Sequence, residues 1–151
     1  LSPKVINHPA IYHMLATKYY EANQMNVEIT LNVFLDLNEI ETRMQIYDFT
    51  RILGILLDNA IDAAKECEKK IINVTFRKEM SNDMIIVKIQ NTYNNKDVDT
   101  EEIYNKGSTS KENHSGLGLW KVRQILMHNN NLNLFTTKDD EFFSQQFEIY
   151  K

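Results

Sequence analysis

The sequence predicts a two-layer α+β sandwich: a mixed, mainly antiparallel sheet with helices on one face. Three observations predict it. Apolar residues recur at helical spacing in three separate stretches, and between those stretches they alternate as in strands. The resulting order, α-β-α-ββ-loop-α-ββ, partly segregates helices from strands. The chain has 151 residues, so a single domain covering residues 1–151 is expected. A domain of that size buries about 68–70% of its unfolded surface, enough for a real core.

Each element has its own reason. Residues 1–9 hold both prolines and read as an extended lead-in. Pro9 suits the first turn of a helix, and Ile11, Leu15, Tyr19 and Ala22 carry that helix to about Gln24. Val27, Ile29, Leu31, Val33 and Leu35 then alternate strictly, as in a half-buried strand. From about Tyr47 to Glu68 the helical period returns, with Phe49, Leu53, Leu56, Ala60, Ala64 and Cys67 on one face. Ile71 to Glu79 and Met84 to Asn91 read as strands joined by Ser81-Asn82-Asp83. Residues 92–115 are poor in large aliphatics and rich in Asn, Lys, Thr and Glu, and read as one long loop of the kind that often serves as a lid. A helix from about Leu119 to His128 follows, its core side being Val122, Ile125 and Leu126, and Asn129-Asn130-Asn131 stops it. Two strands, about Leu132–Thr137 and Phe142–Tyr150, close the chain around Lys138-Asp139-Asp140-Glu141.

Composition narrows the function. Hydrophobic residues make up 42% and charged residues 25%, ordinary for a globular protein and unlike a disordered one. The net charge of −4 argues against nucleic acid as a partner. The lone cysteine, Cys67, excludes an internal disulfide and a cysteine-rich zinc site, and fits a reducing compartment. No apolar run approaches the ~20 residues of a membrane span, and there is no signal peptide. The start at Leu1, not methionine, is what a fragment of a longer protein would show. His8, His13, His114 and His128 are scattered without metal-ligand spacing.

The pattern breaks in three places. Asp58, Asn59 and Asp62 interrupt an apolar, alanine-rich helix, where Asp and Asn are poor helix formers. Asn59 and Asp62 share a face, where they could hold a hard cation or its waters; an exposed stripe is the commoner reading for such residues taken alone. Asn91 ends the core-facing row of Ile85, Val87 and Ile89, either at the sheet rim or aimed at a ligand amine. Ser115-Gly116-Leu117-Gly118-Leu119-Trp120 lies at the mouth of a helix. Glycines there allow close backbone approach and phosphate binding, or simply a turn. Neither a GxxxxGK[ST] loop nor a full dinucleotide fingerprint is present. Lys106, Lys111 and Ser108-Thr109-Ser110 in the preceding loop add to the phosphate reading.

The order and spacing of the three breaks, with Asn91 32 positions after Asn59, resemble the Bergerat ATP-binding fold of the GHKL superfamily, which includes gyrase, chaperone, histidine kinase and MutL ATPases. The resemblance runs from about Leu15 to Tyr150. It is carried by Leu56-Leu57-Asp58-Asn59-Ala60-Ile61-Asp62-Ala63-Ala64 and by Gly116-Leu117-Gly118-Leu119-Trp120-Lys121-Val122-Arg123. Within the superfamily the chain is most similar to sensor histidine kinase catalytic domains, and more narrowly to the peptide quorum-sensing kinases of the staphylococcal accessory-gene-regulator type.

The resemblance implies ATP and Mg2+ as cofactors. It implies that Asn59 is the catalytic metal ligand between the phosphates, with Asp58 and Asp62 supporting the metal or its waters. Asn91 stands where the wider family carries an aspartate, and would accept from the adenine amino group. Residues 92–115 would form the ATP lid. Gly116, Leu117, Gly118 and Leu119 would bring the helix N-terminus to the phosphates, with Lys111 as a phosphate contact. Three positions depart from the family pattern. Ile55 replaces the glutamate that activates water in gyrase-like ATPases, so slow hydrolysis is expected, as suits a kinase. Thr92, Tyr93 and Asn94 replace glycines after the adenine reader, so weak nucleotide binding is expected. Asp62 stands where many histidine kinases carry a lysine, so phosphate neutralisation must come from elsewhere.

The implied partners are a dimerisation and phosphoacceptor domain of the same parent kinase and, downstream, a response regulator. The bare domain is expected to be monomeric, the parent a homodimer, and the location the cytoplasmic side of a bacterial cell membrane. His8 precedes Pro9 without an acidic neighbour in sequence and does not read as a phosphoacceptor. Two other readings share the fold: a serine kinase of the anti-sigma-factor type, and a degenerate interaction module without nucleotide.

Overall fold

The computed structural model describes residues 1–105 and 117–151. The first helix, α1, spans Pro9–Gln24, with Pro9 in its first turn and the His8 ring accepting the Ala10 N–H at 3.2 Å as the cap. The second and longest helix, α2, spans Ile46–Ala64, and the third, α3, spans Gly118–Met127. The strands are β1 (Glu28–Val33), β2 (Ile71–Glu79), β3 (Met84–Thr92), β4 (Leu132–Lys138) and β5 (Phe142–Ile149). They form one sheet in the order β1-β2-β3-β5-β4. The β1–β2 pair is parallel and the other three pairs are antiparallel, giving the mixed, mainly antiparallel sheet the sequence predicts.

The core lies between the helix layer and one face of the sheet. The stripe expected on α2 is buried throughout, from Phe49 to Ala64. Phe49 stands at its centre, with ring centroids 6.5 Å from Phe76 of β2 and 6.2 Å from Phe147 of β5. Gly54 lets α1 lie close against α2: a Cβ there would sit 3.1 Å from the Met14 sulfur.

The structure departs from the sequence reading in three places. The long helix ends at Ala64, not Glu68; Cys67 stays buried because the chain turns back, its N–H bonding the Ala64 carbonyl at 3.0 Å. A 3-10 turn over Leu37–Thr42 precedes α2, where the sequence reading assigned no element. Asp36 caps it by accepting the Asn38 N–H at 2.9 Å, and it buries Leu37 and Ile40 completely. The expected single loop over 92–115 is also broken: Thr92 belongs to β3, and Glu102–Tyr104 form a second 3-10 turn.

An ion cluster closes the β2–β3 turn. Arg43, with a side chain only 5% exposed, meets the Asp83 carboxylate at 2.8 Å and donates to the carbonyls of Asp83 at 2.6 Å and Ile149 at 3.3 Å. The Arg43 guanidinium holds the Asp83 carboxyl below the usual carboxylate range, against partial desolvation and with help from Lys78. A depressed folded pKa adds stability that is present above the unfolded value and lost as pH falls through the folded one. The Arg43→Met variant is therefore expected to be less stable than the parent at pH 7. The gap should narrow, without closing, as pH drops below the carboxylate range, because the carbonyl bonds do not titrate. Urea denaturation at pH 7, 4 and 3 checks this; a gap independent of pH would show that the carboxylate contributes nothing.

Candidate functional site

The helix-facing side of the sheet changes character along its length. At one end, the row Phe76–Val87–Phe147–Leu134 is wholly apolar, and the row Lys78–Ile85–Ile149–Leu132 is apolar but for Lys78. Towards the other end the rows become Val74–Ile89–Gln145–Thr136 and Ile72–Asn91–Phe143–Lys138. Polar groups here replace a buried apolar layer, and each then needs a hydrogen-bond partner.

Asn91 is 3% exposed, and its Nδ2 donates to the Thr92 carbonyl at 2.9 Å. That bond orients the amide and leaves Oδ1 as the acceptor. The chain just after it is held by side chains in place of the glycines of the wider family. Tyr93 packs against Phe143 at 5.9 Å between centroids, with the Lys96 ammonium 3.7 Å over its ring. Asn94 donates to the Glu66 carbonyl at 2.9 Å, which ties this end of β3 to the chain just past α2. The Asn91 end of the sheet and the second half of α2 are thereby at the same end of the fold.

On that half of α2, Asn59 is half-buried and its side chain has no hydrogen-bond partner among the described residues. Asp62, one turn on, has a Lys65 ammonium at 3.2 Å. Asp58 faces elsewhere, 2.7 Å from Lys18 of α1. Burial works against the Lys18 charge, but the Asp58 and Glu21 carboxylates outweigh it and raise its pKa. The structure therefore brings Asn59 and Asp62 to one face and commits Asp58 to the α1–α2 contact.

Helix α3 enters from the other side. A Cβ added to Gly118 would lie 3.2 Å from the Ile55 methyl, one turn before Asn59. The missing side chain thus lets the α3 N-terminus approach α2 closely. Leu117 occupies the cap position with no side-chain cap hydrogen bond, and Leu119 is half-buried. The helix dipole makes such an end favourable to an anion. Lys111 and Gly116 lie outside the described residues.

Three contributors have no counterpart among the residues singled out from sequence. Tyr104, from the 3-10 turn beside α3, donates its hydroxyl to Gln145 Oε1 at 3.0 Å, and Thr136 donates to the same oxygen at 2.6 Å. Burial pushes the Tyr104 hydroxyl up, so it stays a protonated donor. Gln145 interrupts an apolar alternating row, Phe143-x-Gln145-x-Phe147-x-Ile149, just as Asn91 ends its own row, so the signal was present in the sequence.

Among the described residues no cluster of three or more His, Cys, Asp or Glu could hold a metal, so any cation here would rely on Asn59 and on ligand oxygens. The donor set fits a nucleotide with a hard cation: an amide on α2 with no partner among the described residues, an acceptor amide at the end of β3, and the N-terminus of α3. Among the described residues no helix is long and apolar enough to cross a membrane.

Comparison with known proteins bears on the family and the fold. A family model described as a GHKL domain matches residues 44–150. No curated protein matches. Among solved structures, the catalytic domain of histidine kinase ThkA superposes with a TM-score of 0.73 at 21% identity, covering 97% of this chain and 95% of that one. The mycobacterial sensor histidine kinase MprB gives 0.68 at 14% identity, covering 93% of this chain and 91% of that one. The Acinetobacter baumannii histidine kinase AdeS gives 0.65 at 15% identity, covering 93% of this chain and 62% of that one. At these identities the superpositions speak for the fold.

Proposed function

Because the chain belongs to the GHKL domain family, we propose that it is the ATP-binding catalytic domain of a two-component sensor histidine kinase. It would pass the γ-phosphoryl group of ATP to a histidine on a separate dimerisation domain of its parent, and thence to a response regulator, in peptide quorum sensing. The observation that carries the reading is the convergence of Asn59, Asn91 and the Gly118 end of α3 on one end of the fold.

Each residue has a task. Bound ATP would supply the phosphoryl group, and Mg2+ the positive charge between its phosphates. The Asn59 amide oxygen would hold the cation, and Asp62 would hold its waters. Asn91 Oδ1 would accept from the adenine amino group. The first-turn N–H groups after Leu117 would meet phosphate oxygens, with Gly116 and Lys111 contributing from the lid. Asp58 supports the site indirectly, by fixing α1 to α2 through Lys18. Ile55, packed against Gly118, leaves no carboxylate to activate water there. Phosphoryl loss to water should therefore be slow. A location at the cytoplasmic face of a bacterial membrane belongs to the same reading.

Calorimetric titration with the β,γ-imido analogue of ATP, with and without Mg2+, tests this. Mg2+-dependent binding is expected. No binding at millimolar ligand would overturn the nucleotide reading in favour of an interaction module. The Asn91→Asp variant sharpens the test. Its acceptor oxygen remains, so affinity should stay within about fivefold. A second oxygen would then face the Thr92 carbonyl, so stability should fall by roughly 1–3 kcal/mol. Complete loss of binding by a folded Asn91→Asp chain would show that Asn91 does not read adenine.

A further inference from the structure

We propose that Gln145 is a specificity residue of the nucleotide site, its Nε2 donating to a ring nitrogen of the adenine beside the amino group that Asn91 receives. The inference rests on the nucleotide reading above and adds to it a residue and a base preference. Gln145 is 4% exposed, and its Nε2 is the one buried side-chain nitrogen or oxygen without a hydrogen-bond partner among the described residues. Its Oε1 lies within hydrogen-bond distance of two hydroxyls, that of Thr136 at 2.6 Å and that of Tyr104 at 3.0 Å. The Tyr104 and Thr136 hydroxyls also bond each other, so the three groups form one network around this end of the amide. Buried donors are seldom left unsatisfied, so an acceptor from outside the chain is expected there.

Position says what the acceptor is. Gln145 lies opposite Ile89 and Asn91 lies opposite Phe143, so the two amides are diagonal neighbours on the helix-facing side of adjacent strands. Such neighbours are roughly 7–8 Å apart at the backbone, within reach of long side chains. One amide offers a free acceptor, Oδ1 of Asn91, and the other a free donor, Nε2 of Gln145. Adenine presents the complement: an amino donor flanked on either side by a ring-nitrogen acceptor. Guanine presents a carbonyl in place of the amine, and on its pairing edge a ring N–H where adenine has a ring-nitrogen acceptor. The pair of amides is therefore matched to adenine. Tyr104 lies midway along the 92–115 segment expected to be the lid, and its hydroxyl reaches Gln145 Oε1.

The test is calorimetric titration of the whole chain, in Mg2+, with the β,γ-imido analogues of ATP and GTP and with the 1-deaza and 7-deaza forms of the ATP analogue. On the unmodified chain, one deaza compound should bind about tenfold more weakly than the parent analogue. The Gln145→Met variant keeps the length and loses the donor. It should bind the ATP analogue about tenfold more weakly, show no further loss with that deaza compound, and prefer ATP over GTP by about tenfold less. Its melting temperature does not discriminate, because methionine also removes the Oε1 that the Tyr104 and Thr136 hydroxyls meet. Equal affinity of variant and parent for the ATP analogue would overturn the assignment and leave Gln145 a structural residue. Parent-like binding of both deaza compounds to the unmodified chain would overturn it even if the variant failed to fold. Absence of any nucleotide binding to the unmodified chain is a different result, and sinks the nucleotide reading itself.

Discussion

Replacing Asn59 with alanine is expected to lower Mg2+-dependent phosphotransfer by roughly 10²-fold or more while leaving the fold as stable as before, or slightly more so. Two facts set the sign of each half. The Asn59 side chain is half-buried and has no hydrogen-bond partner among the described residues, so its removal orphans no donor among them. Alanine is also the better helix former, by up to about 0.7 kcal/mol per residue. A residue that is locally unfavourable, in a helix whose other face is fully packed, is best explained by what it does for a ligand. The measurements are transfer from labelled ATP to the dimerisation domain of the parent, Mg2+-dependence of analogue binding, and a thermal melt. Unchanged transfer would remove Asn59 from the metal. A large fall in melting temperature would make it a structural residue.

The second large effect is on the fold. Phe49 joins the two halves of the sheet to α2 through Phe76 and Phe147, and all three rings are fully buried. Phe49→Ala should cost about 3–5 kcal/mol, the transfer of the ring plus the cavity it leaves. Domains of ordinary stability have only about 5–15 kcal/mol in hand, so the variant should be largely unfolded at modest denaturant. Urea denaturation followed by circular dichroism checks this. A loss below about 1 kcal/mol would mean that the surrounding side chains collapse into the space. Phe49 belongs to the apolar end of the sheet, so nucleotide affinity of the remaining folded fraction should be unchanged, which separates the two predictions experimentally.

The sequence by itself determined which stretches are helices and which are strands, because hydrophobic period is a local property and the stripe from Phe49 to Ala64 and the row Ile85-Val87-Ile89 are unambiguous. It also determined that Asn59, Asn91 and Gly118 are exceptions, since each breaks a local rule of its own element. Helix ends were less legible: Ala64 and Glu68 differ only in how the chain turns back, a matter of tertiary contact. The 3-10 turn over Leu37–Thr42 was missed because six residues carry too little period, although Asp36 ahead of Glu39 is a capping pattern.

Only the tertiary structure decided how the exceptions relate. Strand order places Gln145 beside Ile89 and Thr136, residues 56 and 9 positions away in the chain, and no local pattern encodes that pairing. The neighbouring aspartates look equivalent in sequence, yet the approach of α1 gives Asp58 to Lys18 while Asp62 stays on the face of Asn59. The physical reason is the same in each case. Periodicity records which side of an element is buried, whereas the partner across the gap is chosen by packing and register, which are long-range and appear only when the sheet and helices close on one another.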